Sequence, residues 1–184
     1  MEDEKIIELY QIKNENAIKE TSVKYGKYIR KIASNILNNE SDSEECENDT
    51  YQATWRNIPP ESPKSLKAFL GRITRNIALD RYDHNTAKKR NTHFDVVLSE
   101  LEECIPAKGS VENAYENLVL EETISEYLKG IERTKRIIFV RRYWHSDSVH
   151  DIALKFGFGE SKVKSILMRT RQGLKKYLER QGVL

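Results

Sequence analysis

The sequence predicts an all-α protein made of two small helical bundles joined by an acidic linker, with a helix-turn-helix in the second bundle. Apolar residues recur at helical spacing over most of the 184 residues, and no segment alternates between apolar and polar residues as a strand does. A hydrophobic content of 38% beside a charged content of 33% is low for one large core and fits two small ones. We expect the domains over 1–91 and 113–184, with the linker over 92–112.

Two amphipathic helices are predicted at the start of the first domain. Residues 4–13 carry apolar residues on one side, and the Asn-Glu-Asn sequence that follows is typical of a corner. The pattern over 16–38 is strongly helical, because its apolar residues fall on one seam. The seam consists of Ile18, Tyr25, Ile29, Ile32 and Ile36.

The third predicted helix, over 41–58, has an acidic edge. Ser41 and the acidic residues after it favour a helix start, and Pro59 stops the helix. The edge has no basic residue before Arg56 and contains Glu45, Glu47, Asn48 and Asp49. Such an edge can serve solubility alone, and it is also what a basic protein partner would bind.

A basic helix is predicted over 65–90, after a loop with several prolines. Its inner face is apolar and contains Leu66, Phe69, Leu70, Ile73 and Ile77. Arg72, Arg75 and Asn76 lie on the remaining surface, close to aromatic residues. This composition fits a surface that follows a single nucleic-acid strand and holds an unstacked base, and it equally fits an ordinary soluble helix.

Helical spacing is lost over 91–113, apart from a short local helix near the start of that stretch. It returns over 111–131, and a further helix is predicted over 134–143. That last helix is expected to bury its apolar residues and to expose two basic ones, Arg141 and Arg142.

Residues 149–172 have the spacing of a helix-turn-helix. Ala153 lets two helices approach closely, and Gly157 permits the positive φ of a tight turn. Val163 and Ile166 are placed to anchor the second helix to a core.

The second helix of this pair is expected to be capped by Ser161 and to continue to about Arg180. Its outward residues are basic or able to form hydrogen bonds: Lys162, Lys164, Ser165, Met168, Arg169 and Arg171. A helix with one apolar and one basic face suits a DNA major groove, and the alternative is a solvated basic face on an ordinary hairpin.

The small net charge of +2 conceals four blocks of alternating sign. The net charges are −5 over 1–63, +6 over 64–91, −8 over 92–128 and +9 over 129–184. Two basic blocks with an acidic block between them indicate two nucleic-acid contacts and an intervening segment that repels DNA.

Several function classes are not supported by the sequence. Cys46 and Cys104 have no disulfide or metal-ligand spacing, and the histidines and carboxylates form no catalytic set. The acidic start is unlike a signal peptide, and no apolar run is long enough for a membrane span. We therefore expect a cytoplasmic protein that is not an enzyme, with no metal, cofactor, membrane insertion or small-molecule substrate.

Three stretches carry a family resemblance. Residues 45–58 are similar to a polymerase-binding helix, 69–82 to a promoter-melting helix and 148–178 to a reader of an upstream promoter element. The last stretch carries a pattern formed by Val163, Lys164, Ser165, Arg169 and Arg171. In this order the stretches resemble the two-domain sigma factors of bacterial RNA polymerase, of the extracytoplasmic-function (ECF) class.

The resemblance implies a protein that binds core RNA polymerase and promoter DNA and directs promoter-specific transcription initiation. It implies polymerase contacts for Glu45, Asn48, Asp49, Tyr51 and Arg56. It implies contacts with the minus-ten element for Phe69, Arg72, Arg75, Asn76 and Arg81. It implies contacts with the minus-thirty-five element for Lys162, Lys164, Ser165, Met168, Arg169, Arg171 and Lys175. An anti-sigma factor is the further partner that it implies.

Other functions remain open at this point. A stand-alone helix-turn-helix regulator of transcription would account for 129–184 and leave 41–90 without a role. A recombinase would need a nucleophilic Ser or Tyr among converging arginines, and Ser22 and Tyr28 have no such set. An adaptor that binds only protein would not depend on the charges of the second domain.

Overall fold

The computed structural model describes residues 1–86, 92–105 and 114–183, and within these ranges the regular structure is entirely α-helical. The chain divides into two compact units, Met1–Phe94 and Asp95–Leu184. The predicted all-α fold is therefore confirmed. Within the same ranges, no helix is both long and apolar enough to cross a membrane.

The described part of the chain forms helices in the following order. The first four are α1 (Asp3–Gln11), α2 (Asn16–Leu37), α3 (Glu40–Asn57) and α4 (Leu66–Thr86). They are followed by α5 (Thr92–Glu102), α6 (Ala114–Gly130), α7 (Arg133–Tyr143), α8 (Val149–Phe156) and α9 (Glu160–Arg180). The predicted linker over 92–112 is thus helical in its first part, and its residues from 106 onward lie outside the described residues, as does the basic run 88–90.

The first unit is a bundle in which α2, α3 and α4 pack on one another and α1 packs on α2. Ile6, Ile29, Leu66 and Leu70 are fully buried in its core. Buried residues recur at helical spacing along α1 and α2, such as Ile6 with Tyr10 and Ile29 with Ala33, so each helix buries one face and leaves most of its charged residues in water. Removal of this apolar surface from water is the main stabilising contribution.

Gly71 allows α2 and α4 to approach closely. It is buried, and a Cβ atom at this position would collide with the hydroxyl of Tyr28 on α2. A larger residue would therefore force one of the two helices, or the tyrosine ring, to move.

Two helices begin at other residues than the sequence predicted. The N-cap of α3 is Asn39, whose side chain accepts a hydrogen bond from the backbone N–H of Asp42 at 3.0 Å, so Ser41 lies inside the first turn. The N-cap of α9 is Gly159, which has no side chain that could accept a hydrogen bond. Ser161 lies within the first turn of the helix, so the predicted cap at Ser161 is wrong. In both cases the helix starts about two residues earlier, because the extended backbone before it ends there.

The second unit is organised around α9. Helices α6, α7 and α8 all pack against it. The buried stripe of α9 contains Val163, Leu167, Leu174 and Leu178, and α7, which packs on α9, buries Ile138. The spacing of this stripe, four or seven residues, is that of one helix face, so the opposite face of α9 is left to solvent.

Candidate functional site

Helix α8 has a side-chain cap at its start, and a short turn joins its end to α9. The Ser148 side chain caps α8 by accepting a hydrogen bond from the backbone N–H of Asp151 at 2.9 Å. Gly157 ends α8 in the left-handed region, with φ of +63°, as its position in the sequence predicts. The backbone N–H of Phe158 then donates to the carbonyl of Ala153 at 3.0 Å, which closes the turn.

The solvent face of α9 is basic. Lys162, Lys164, Arg169 and Lys175 are exposed, as is Met168, and Ser165 is half-buried. The Lys162 ammonium lies 3.6 Å from the centroid of the Phe158 ring. Six of the seven residues predicted to contact the minus-thirty-five element thus lie on α9 where an approaching molecule can reach them.

Arg171 is the exception, and the expectation that it faces outward is wrong. Its side chain is only 14% exposed and donates a hydrogen bond to the Tyr143 hydroxyl at 2.6 Å. It is also ion-paired with Glu100 at 3.6 Å and with Glu103 at 3.4 Å. Arg171 follows the buried Leu167 by four residues, so it borders the buried stripe of α9 rather than the basic face.

Arg142 is also buried, although the sequence analysis placed it outside. Its side chain is 4% exposed and forms a two-pronged ion pair with Glu100, with N–O distances of 2.8 and 3.1 Å. A third nitrogen of Arg142 donates to the backbone carbonyl of Asp147 at 3.1 Å. The signal was present in the sequence, because Arg142 follows the buried Ile138 by four residues.

Glu100 of α5 therefore connects three residues of the second unit. Tyr143 donates to Glu100 Oε2 at 2.9 Å, beside the contacts from Arg142 and Arg171. Burial on its own would raise the pKa of the Glu100 carboxyl, but hydrogen bonds from Arg142 and Tyr143 and the positive charges of the arginines outweigh it, so the pKa is lowered. Nothing in the predicted linker pointed to this role for Glu100.

In the first unit, the face of α4 next to the loop before it carries two exposed polar residues, Arg72 and Asn76. The Arg72 guanidinium lies 5.5 Å from the centroid of the Phe69 ring and 3.2 Å from a carboxylate oxygen of Glu61. A surface depression at this point is lined by residues 61–65 together with α4 residues. Phe69 itself is 6% exposed, so most of its ring belongs to the core.

The other two predicted minus-ten residues are placed differently. Arg75 is half-buried, and desolvation lowers the pKa of its guanidinium. Arg81 points to α3, where it donates to Glu45 at 2.5 Å and to Asp49 at 2.8 Å. These hydrogen bonds raise the pKa of Arg81 and lower that of the Glu45 carboxyl. The structure thus brings Arg81 together with two residues predicted to contact polymerase.

The acidic edge of α3 consequently has basic partners, contrary to the expectation from the sequence. Besides Arg81, Arg30 of α2 donates to Glu47 at 2.7 Å. Glu47 is buried, 7% exposed, and also accepts a hydrogen bond from the Tyr51 hydroxyl at 2.6 Å. Both residues lie on the face of α3 that packs into the bundle, which the composition of the edge did not reveal.

The residues predicted to contact polymerase accordingly differ in accessibility. Glu45, Asn48 and Arg56 are exposed, and Asp49 is half-buried. Tyr51 is 7% exposed and belongs to the core of the first unit. Burial, followed by its hydrogen bond to Glu47, raises the pKa of the Tyr51 phenol.

A comparison with protein families agrees with the class of protein that these elements suggest. Residues 23–87, just over a third of the chain, match the family described as Sigma-70 region 2. A solved structure of CnrH in complex with the cytosolic domain of CnrY has a TM-score of 0.46 and 17% sequence identity, and the match covers 97% of each chain. This similarity is too low to transfer properties to the present chain. No curated protein sequence matches it.

The matched region runs from α2 to the end of α4 and includes both the acidic edge and the exposed face with Arg72 and Asn76. Residues 23–87 therefore belong to the sigma-70 region 2 family. This match supports a sigma factor function, in association with RNA polymerase in transcription initiation.

Proposed function

We propose that this chain is a sigma factor of the ECF class, in which one domain binds core polymerase and the minus-ten element and a second reads the minus-thirty-five element. The observation that carries the proposal is the sigma-70 region 2 match over α2 to α4. The domains would extend over 1–91 and 113–184, as the sequence predicts. The chain would act in the cytoplasm and supply no chemistry of its own, since bond formation belongs to the polymerase.

The first unit supports contact with an unstacked base. Arg72 and Asn76 are one helical turn apart on an exposed face of α4, and Arg72 lines the depression formed with the preceding loop. The guanidinium can hold a phosphate, and the amide can donate to and accept from a base edge. Because Phe69 is largely buried, we expect the edge of its ring to line the floor of the site rather than to stack on the base.

The second unit supports contact with double-stranded DNA through α9. Lys164, Met168 and Arg169 are exposed on one face, and the opposite face is held by the core of the unit. An α-helix fits the major groove, where Arg and Lys recognise guanine with about 1–3 kcal/mol of discrimination for each good two-pronged contact. Lys162 and Lys175 are placed to contact phosphates, which would add affinity and salt dependence.

Polymerase binding is proposed for the accessible part of the acidic edge of α3, namely Glu45, Asn48, Asp49 and Arg56. Tyr51 is not accessible and would act by packing beneath this edge. An anti-sigma factor is a further proposed partner, and it rests on the family resemblance alone.

The test is a pull-down of bacterial core RNA polymerase, followed by run-off transcription from promoters selected out of a random-sequence DNA library. We expect the intact chain to retain core polymerase. The double variant with Glu45→Ala and Asn48→Ala should retain it less well. Glu44→Ala, on the same helix, is the matched control. An intact chain that does not bind core polymerase would contradict the proposal and favour a stand-alone DNA-binding regulator.

The same selection tests the role of α9. Holoenzyme with Lys164→Ala and Arg169→Ala should lose or change its preference at the upstream element and keep its preference at the downstream element. Lys129→Ala and Lys155→Ala remove the same charge from exposed positions of the second unit outside α9 and should leave both preferences intact.

A further inference from the structure

Arg81 is the residue whose place in the structure differs most from its predicted role. It lies nine residues after Arg72 on α4, which is two and a half turns at about 3.6 residues per turn. The two guanidinium groups therefore project from opposite sides of the helix. Asn76 lies on the side of Arg72, so Arg81 is separated from the face that is proposed to contact DNA.

The contacts of Arg81 connect it to the acidic edge of α3 instead. One terminal nitrogen donates to Glu45 Oε2 at 2.5 Å and the other to Asp49 Oδ2 at 2.8 Å. Glu45 and Asp49 are four residues apart, so their like charges lie side by side on α3 and repel each other in the absence of a cation. A planar guanidinium can bridge two carboxylates in this way, whereas a lysine ammonium is a point charge on a flexible stem.

The bridge leaves both carboxylates able to accept further hydrogen bonds. The contacts with Arg81 use one oxygen of each carboxylate, and within the described part of the chain the second oxygen of each accepts no hydrogen bond. The side chains of Glu45 and Asp49 are 65% and 40% exposed, whereas that of Arg81 is 20% exposed. The arginine thus lies beneath the carboxylates and holds them in place at the surface.

We propose that Arg81 is a positioning residue of the polymerase-binding surface and makes no contact with promoter DNA. This inference rests on the proposed function. Arg81 orders Glu45 and Asp49 before a basic partner arrives, and so removes part of the cost of fixing two flexible side chains on binding. Fixing each such side chain corresponds to a factor of about two to ten in affinity.

The experiment compares Arg81 with Arg72, an exposed arginine on the opposite side of the same helix. Core polymerase association is measured with the full chain carrying Arg81→Lys or Arg72→Lys. Both substitutions keep the charge, so long-range attraction to polymerase is unchanged. We expect Arg81→Lys to weaken association by about five-fold, and Arg72→Lys to leave it within about two-fold.

The second arm measures binding of a fluorescent single-stranded oligonucleotide of mixed sequence, as a function of salt, to the full chain with Arg81→Gln or Arg72→Gln. A lost phosphate contact lowers the slope of log affinity against log salt by about 0.7 for single strands. We expect this change for Arg72→Gln and not for Arg81→Gln. Urea midpoints of all variants, measured in parallel, show that each remains folded.

The outcomes separate the inference from the proposed function. If Arg81→Gln lowers the salt slope as Arg72→Gln does, or if Arg81→Lys binds polymerase as the wild type does, the inference is wrong and the proposed function stands. If the wild-type chain binds no core polymerase, the proposed function fails and the inference fails with it.

Discussion

Glu100 provides the sharpest test of how the second unit is held together. Its carboxylate accepts hydrogen bonds from Arg142 and Tyr143 and is ion-paired with Arg171. Replacement by glutamine keeps the size of the side chain and one acceptor oxygen but removes the negative charge. Arg142, with a side chain that is 4% exposed, would then lose its carboxylate partner.

The expected cost follows from the degree of burial. Breaking a fully buried ion pair costs about 3–5 kcal/mol, because a charge is left without compensation, whereas an exposed pair contributes about 0–1 kcal/mol. Glu100 is 22% exposed, and glutamine still accepts one hydrogen bond, so this pair lies between the two limits. We expect Glu100→Gln to lower the free energy of unfolding of the second unit by about 2–3 kcal/mol.

The two tryptophans of the chain allow the second unit to be followed separately, since Trp55 lies in the first unit and Trp144 in the second. In a Trp55→Phe background, the fluorescence of Trp144 reports unfolding of the second unit in urea. With a slope of about 1–2 kcal/mol per molar urea for a unit of this size, the midpoint should fall by about 1–3 M.

Glu102→Gln is the matched control, because it removes the same charge from an exposed position of the same helix. It should change the free energy of unfolding by no more than about 0.5 kcal/mol. An equal effect of the two substitutions would refute the reasoning, since the network around Glu100 would then contribute no more than a surface charge.

Three further predictions concern single positions. The pKa of Glu100 is lower in the folded chain than its ordinary value of 4.5. The contribution of this carboxylate to the free energy of unfolding is therefore complete above that value and is lost as the pH falls below it. Urea midpoints should fall with decreasing pH in this range, and they should fall less in Glu100→Gln. Gly71→Ala should destabilise the first unit by about 1–2 kcal/mol, because the new Cβ atom would collide with the Tyr28 hydroxyl. Tyr28→Phe removes that hydroxyl and should reduce the cost, since alanine itself favours a helix over glycine by about 1 kcal/mol. Thermal unfolding of the two single variants and the double variant measures both effects. Ser148→Ala should cost about 1 kcal/mol through loss of the cap on Asp151, measured by Trp144 fluorescence in urea.

Helix bounds and turns, which depend on residues close together in the chain, were predicted well from the sequence. The helix predicted over 16–38 is observed as Asn16–Leu37, and α9 ends at Arg180 as expected. The positive φ of Gly157 was also predicted correctly. Apolar periodicity, turn glycines and prolines act locally, so a linear pattern is sufficient to locate them.

The same reasoning failed for charged residues whose partners lie on other helices. Arg81 finds its carboxylates 32 and 36 residues away, and Arg142 finds Glu100 42 residues away. Periodicity can show that Arg142 lies on a buried face, but it cannot show which carboxylate compensates its charge. The sequence therefore does not show which partner a basic residue beside an apolar stripe has, since either a phosphate of a ligand or a carboxylate of the same chain can compensate its charge.

The internal ion pairs also change what the charge blocks mean. The sequence assigns −8 to 92–128 and +9 to 129–184, which suggests a strong contrast between a segment that repels DNA and a segment that binds it. Two of those acidic residues, Glu100 and Glu103, are paired with arginines of the second block. The basic charge that α9 presents to solvent is therefore that of its exposed lysines, Arg169 and Arg180. The salt dependence of DNA binding through α9 should therefore have no contribution from Arg171, because an arginine already paired with carboxylates of its own chain releases no counterion from DNA.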